Sequence, residues 1–431
     1  MEVPSNEAVL PDLRFSIDIM ANQKDTQRER QTLLVPAYFE GTRQKVAAGI
    51  VTMENNPAYR RLLEEAEEAL SAQPLSVTYK KHTPPSGDKR DYWSLSIYFW
   101  PNQHTSDGLP YVPKDGMVNP EIEDYDRPNF VRMCGLVDTL CCAFALSGEE
   151  KFAAKATELL RVWFIDESTR MNPNMLFAQY IPGENIEVPW KEYPARYVSG
   201  SQGRKGVWVS FGGVIEDLNL VPLTDCLRWL RESKSWTQSD DAAIQDWYRA
   251  YTEWLLTHQH GLDEAACRNN HGSWYWADIL CFLDFTNQRD RARQYAEHIF
   301  YERLQLQIEP DGSQPEELVR AISQHYTAFT LCSFANMALS AQKCGYDAWS
   351  VTTEDGRSLI GAMDWFAPYL TGEKTWEWKQ IKPFNPSIMV GPMSACGLSA
   401  ETRFRRIAEQ ITVATDDRVR LLYDLDVHAK K

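Results

Sequence analysis

The chain has 431 residues, 43% of them hydrophobic and 24% charged, a globular composition long enough for one large core or two modest ones. Its formal net charge of −15 excludes nucleic acid or an anionic lipid surface as the main partner, because both need a basic footprint. Nine cysteines, an odd number without a CxxC pair and with Cys141 next to Cys142, give neither a disulfide framework nor a zinc ribbon and read as mostly buried thiols.

The opening MEVPSNEAVLPDL lacks the basic and apolar regions of a signal peptide, and no later run reads as long and apolar enough to span a membrane. A soluble protein is expected. Helical periodicity then recurs over residues 59–70, 130–147, 151–164, 218–231, 242–256, 274–284, 289–308, 315–341 and 359–370, while strand signals are scarce. Many helices joined by loops predict an all-α architecture in a single domain over 1–431; a toroid of antiparallel helix pairs, a bundle and a solenoid all satisfy the periodicity. Two long connections interrupt it, residues 71–129 and 166–212, both too rich in aromatic residues for disorder and therefore candidate cleft-lining loops. The first carries Lys80, Lys81, Lys89 and Arg90, a local positive cluster in an acidic chain. The residues after Cys396 end in mixed charges and suit a last helix docked on the body.

Two segments carry the chemistry. In RNNHGSWYW, Asn269 or Asn270 caps a helix, and His271 in its first turn feels the positive helix end, which favours a neutral imidazole able to accept a proton. In DGSQPEELVRAISQHY, Asp311 and Gly312 turn the chain, Pro315 starts a helix, and Glu316 and Glu317 complement its dipole. Arg320, His325 and Tyr326 then follow within two turns; on a continuous helix Arg320 and Tyr326 lie about 120° apart, bordering one cleft without stacking. Together these groups fit β-elimination from a 4-linked uronate. Asn270 and Arg320 suit neutralisation of the carboxylate that acidifies the C5 proton, and His271 and Tyr326 suit the base and the acid that protonates the departing O4. No metal or other cofactor is needed.

The motifs GDKRDYWSLSIYFWPN, LPYVPKDGMVNPE, STRMNPNMLFAQ, NNHGSWY and DGSQPEELVRAISQHY, in this order over roughly residues 80–385, resemble the alginate lyase superfamily, most closely its polysaccharide lyase family 38 branch of alginate and glucuronan lyases. The resemblance implies an incomplete (α/α) toroid with a long cleft, an anionic polysaccharide substrate, a secreted or periplasmic location, and a metal-independent Tyr/His mechanism. It places the catalytic Asn–His pair on Asn270 and His271, the Arg on Arg320 and the Tyr on Tyr326. Where relatives often read GDKHDY this chain has Arg90, which still suits a carboxylate. Lys89, Arg90, Tyr92, Asn172, Asn174, Gln179, Trp274 and His325 are the candidate sugar contacts.

Stereochemistry refines the roles. In β-D-mannuronate and β-D-glucuronate the C5 proton and O4 leave from one face, so Tyr326 alone can serve as base and acid; His271 then supports the phenolate or the carboxylate, and acts as base only on an anti substrate. Three other readings stand beside this one: an inverting glycoside hydrolase recruiting two of Asp88, Asp91, Glu316 and Glu317, a non-catalytic carbohydrate-binding protein, and a metal site at His258 and His260.

Overall fold

Five helices are buried on most of their surface and set the architecture: α3 (Asp126–Ser147), α5 (Leu220–Leu230), α8 (Asn270–Phe285), α11 (Ser323–Lys343) and α13 (Val390–Ser399). They pack each against the next in that order, α3 on α5, α5 on α8, α8 on α11 and α11 on α13. Amphipathic partners lie outside them: α2 (Pro57–Ala69) and α4 (Glu150–Leu160) on α3, α6 (Gln238–Thr257) and α9 (Arg289–Gln307) on α8, α12 (Leu359–Thr371) on α11, and α14 (Arg403–Gln410) on α13. This is an (α/α) toroid, with an inner row of mostly buried helices and an outer row with one wet face. The computed structural model describes residues 35–183 and 210–425 together with Leu33, all within the compact unit Gln31–Lys431.

Local chemistry sets the helix ends. Asn56 accepts from the Tyr59 amide ahead of Pro57, Thr237 and Asp240 form a reciprocal capping box, and Gly148 closes α3 with a left-handed φ of 72° that a side chain would resist. Of α8, only Trp276 escapes full burial. Each large apolar side chain enclosed this way contributes about 1.5–3 kcal/mol. Contrary to the sequence expectation, α3 is long and apolar enough to cross a membrane. Most of that stretch is buried inside the fold, so its apolarity is that of a core helix.

The first long connection forms β1 (Trp93–Leu95), β2 (Phe99–Trp100) and β3 (Val112–Pro113), and the second forms β4 (Phe177–Tyr180). β1 pairs in parallel with β4, Trp93 opposite Phe177, and β2 pairs antiparallel with β3. The two connections are thereby stitched together beside the helix ends. Residues 184–209 of the second connection lie outside the described residues.

Two expectations are corrected. The helix expected over 315–341 breaks: α10 (Pro315–Leu318) ends, and α11 begins at Ser323. Between them the backbone pairs with a distant strand instead of with itself, Ile381 N donating to Ala321 O at 3.0 Å and Ser323 N to Lys379 O at 3.1 Å. The positive cluster is also largely neutralised. Lys80 is buried against Asp126 at 2.8 Å, Lys81 meets Asp124 at 2.8 Å and Arg90 meets Asp88 at 2.9 Å, leaving Lys89 as its one member without a carboxylate partner among the described residues.

Candidate active site

The break between α10 and α11 is what assembles the site. With the chain turned at 319–322, the Arg320 guanidinium lies 3.6 Å from the centre of the Tyr326 ring, whereas a continuous helix would have kept the two apart. Arg320 is 4% exposed, and its Nε and Nη2 donate to the two oxygens of Asp115 at 3.3 and 2.9 Å. Asp115 also accepts from the Ala321 amide at 2.9 Å, so one carboxylate from the first long connection fixes both the cation and the turn. The Tyr326 hydroxyl donates to that of Tyr98 at 3.2 Å. Burial pushes the Tyr326 phenol well above its ordinary value, and the charge of Arg320 opposes that push.

Asn269 caps α8, accepting from the His271 amide at 3.3 Å, and thereby sets Asn270 and His271 in the first turn. Asn270 is held at two points by Glu317, its amide N–H to Oε1 at 2.8 Å and its Nδ2 to Oε2 at 2.9 Å. Glu317 is therefore more than a helix-start carboxylate: it is buried, its acid raised by that burial, and it feels the charges of Arg320 and His271. His271, 5% exposed, places Nδ1 2.7 Å from Oε1 of Glu264, on α7 (Gln259–Ala265). A carboxylate only accepts, so Nδ1 is the ring nitrogen that donates to Glu264. Glu264 in turn adjoins a buried carboxyl pair, Asp217 and Asp278, in which burial lifts Asp217 to about 7 and also raises Asp278 well above the usual carboxylate range, with Tyr251 donating to Asp217 at 2.8 Å.

His325 is half-buried, stacked on Phe329 at 5.8 Å and edge-on to Tyr326 at 5.7 Å. Burial first, then the charges of Arg320 and Lys382, lower it to about 4, so it is neutral at physiological pH. The structure thus brings Asn270, His271, Arg320, His325 and Tyr326 into one connected cluster through Glu317 and Phe329.

The other sequence candidates are placed differently. Tyr92 is fully buried and donates to Glu216 at 2.6 Å, and Trp274 is fully buried against Phe329, so neither ring offers a face to a sugar. Asn172 and Asn174 donate to Asp91 at 2.8 and 3.2 Å and tie the two long connections together. Gln179 is buried, with a left-handed φ of 47° and its amide N–H donating to Ser94 at 2.7 Å. That backbone is costly for a residue with a side chain and is kept by the β1–β4 pairing around it. Arg90 is bound to Asp88, and Lys89 is exposed with Nζ on the Lys80 carbonyl at 3.1 Å. Asp88, Asp91 and Glu317 are thus all committed to partners within the fold. His258 caps α7 through its own ring, and no group of three metal-binding side chains occurs among the described residues.

Sequence reasoning missed Tyr98, Asp115 and Glu264. Tyr98 and Asp115 lie inside two of the motifs quoted above, yet nothing in one sequence says that they meet Tyr326 and Arg320. Glu264 carries no local signal at all.

The alginate lyase family model matches residues 76–376. No curated protein matches the chain. Among solved structures, an alginate lyase from Bacteroides ovatus is 30% identical with a TM-score of 0.80, the alignment covering 92% of this chain and 99% of that one. Alginate lyase A1-III complexed with tetrasaccharide, 13% identical with a TM-score of 0.51 over 89% of this chain and 94% of that one, shares the fold. With a family match over most of its length and a full-length relative at that identity, the chain belongs to the alginate lyase family and is a polysaccharide lyase.

Proposed function

We propose that the enzyme cleaves a 1,4-linked polyuronate, mannuronate-rich alginate or glucuronan, by metal-independent β-elimination, leaving a 4,5-unsaturated uronate at the new non-reducing end. The observation that carries this reading is the stacking of Arg320 on Tyr326 at 3.6 Å. A fixed cation over the ring stabilises a phenolate against the burial that opposes it, as a general base requires. Asn270 gives one amide hydrogen to Glu317 and keeps a second for the carboxylate of the substrate, while Arg320 adds its field. The C5 proton passes to the Tyr326 oxygen, the electron pair forms the C4–C5 double bond, and the C4–O4 bond breaks. The same phenol then returns its proton to O4, which a syn substrate presents on the same face. His271, oriented by Glu264, supports the carboxylate or the phenolate.

The test is ultraviolet absorbance of the unsaturated product on polymannuronate, glucuronan, polyguluronate and hyaluronan. Tyr326→Phe is expected to abolish product formation while leaving oligosaccharide binding nearly intact. Substantial residual turnover in that variant would remove Tyr326 from the reaction.

A further inference from the structure

The segment 376–384 lies across the start of α11. Burial alternates along it: Trp376, Trp378, Gln380, Lys382 and Phe384 are half-buried, and Glu377, Lys379, Ile381 and Pro383 are exposed. Period two is the signature of an extended chain with one face against the protein. The strap is anchored along its length. Trp376 Nε1 donates to Ser323 Oγ at 2.9 Å, Gln380 Oε1 accepts from the Gln324 amide at 2.9 Å, and Phe384 packs on Phe366 at 6.1 Å. Trp378 packs on Trp376 at 4.9 Å and Trp365 at 5.4 Å.

Lys382 stands apart from these neighbours. It lies on the inward face, burial lowers its ammonium, and no carboxylate among the described residues pairs with it. Its charge is felt by His325, the residue beside Tyr326. A partly desolvated cation without a counterion costs free energy, which is recovered when a ligand supplies the anion. A polyuronate supplies one on every sugar. If one carboxylate sits at Asn270 and Arg320, the neighbouring sugar brings the next within reach of another cation.

We infer that Lys382 binds the carboxylate of a sugar adjoining the one at Tyr326, making the strap 376–384 one wall of the substrate cleft. This rests on the polyuronate reading above. It draws nothing from the family match, which ends at residue 376.

The experiment is calorimetric binding of tetramannuronate and of its carboxyl-reduced, neutral counterpart to the Tyr326→Phe protein, with and without a further change at Lys382. Lys382→Gln is expected to weaken tetramannuronate binding about tenfold, the usual worth of a charge-assisted contact, and to leave the neutral oligomer unaffected. Lys382→Arg, which keeps the charge, is expected to restore most of the affinity. Unchanged tetramannuronate binding in Lys382→Gln overturns the inference, as does no measurable binding in the protein that retains Lys382. Equal weakening of both oligomers also overturns it, because that reports a collapsed strap. Product formation by the unaltered enzyme is followed alongside: its absence on every polyuronate defeats the polyuronate reading, while the charge-dependent difference at Lys382 is read from binding alone.

Discussion

Glu264→Gln isolates the contribution of one buried charge to His271. The carboxylate lies 2.7 Å from Nδ1, both side chains are nearly inaccessible, and glutamine fills the same volume. What is lost is the charge and the certainty of the tautomer, since an amide presents either a donor or an acceptor to the ring. A hydrogen bond to a charged group contributes about 1.5–3 kcal/mol, so kcat on polymannuronate should fall roughly 10- to 150-fold if that bond is felt in the transition state. KM should change little, because Glu264 is too deep to touch the polymer. The fold should survive, since the neighbouring carboxyls Asp217 and Asp278 are raised in part by the charge of Glu264 and are relieved by its removal. The assay is initial-rate absorbance in Glu264→Gln, His271→Ala and the double variant, with thermal melting of each. If Glu264 works through His271, the double variant is no slower than His271→Ala. A Glu264→Gln enzyme within about twofold of the unaltered kcat, or one that costs as much again in the His271→Ala background, would refute the reasoning.

Two further outcomes follow from the geometry. Arg320→Lys keeps a charge but can neither bridge both oxygens of Asp115 nor lie flat on Tyr326; it should cost about 1–3 kcal/mol of stability in urea together with most of the activity, and an unchanged enzyme would mean that the stacking is incidental. The carboxyl pair Asp217 and Asp278 sets a pH dependence of opposite sign to that of ordinary surface acids. Both are raised by burial, Asp217 to about 7, so the folded state holds protons that the unfolded state releases above about pH 4. Their stabilisation is full below the unfolded value and is lost as pH rises through the folded one. Asp278→Asn removes one member and should gain stability relative to the unaltered protein as pH rises from about 4 to about 7; parallel melting curves across that range would contradict it.

The helical architecture was legible because it is a matter of period. Apolar residues recurring every three to four positions define α2, α5 and α9 nearly to their ends, and a cap such as Asn269 acts within the first turn of the helix it starts. The choice of a toroid came from the resemblance carried by the motifs, since periodicity alone fits a bundle equally well. The two segments bearing Asn270, His271, Arg320 and Tyr326 were also legible, because each groups its polar residues within a few turns.

What the sequence could not determine is which partner each polar residue meets. Lys80, Arg90, Tyr92 and Trp274 have the composition of a sugar site, and the fold spends them on Asp126, Asp88, Glu216 and Phe329. The contact of Arg320 with Tyr326 depends on a helix break, and that break exists because residues 321–323 bond to 379–381, nearly sixty positions away. Glu264 reaches His271 because α7 packs on α8. Hydrophobic period is written locally along the chain, whereas hydrogen-bond partners across helices are decided only when the inner row packs and each buried polar group must find whichever complement lies within about 3 Å.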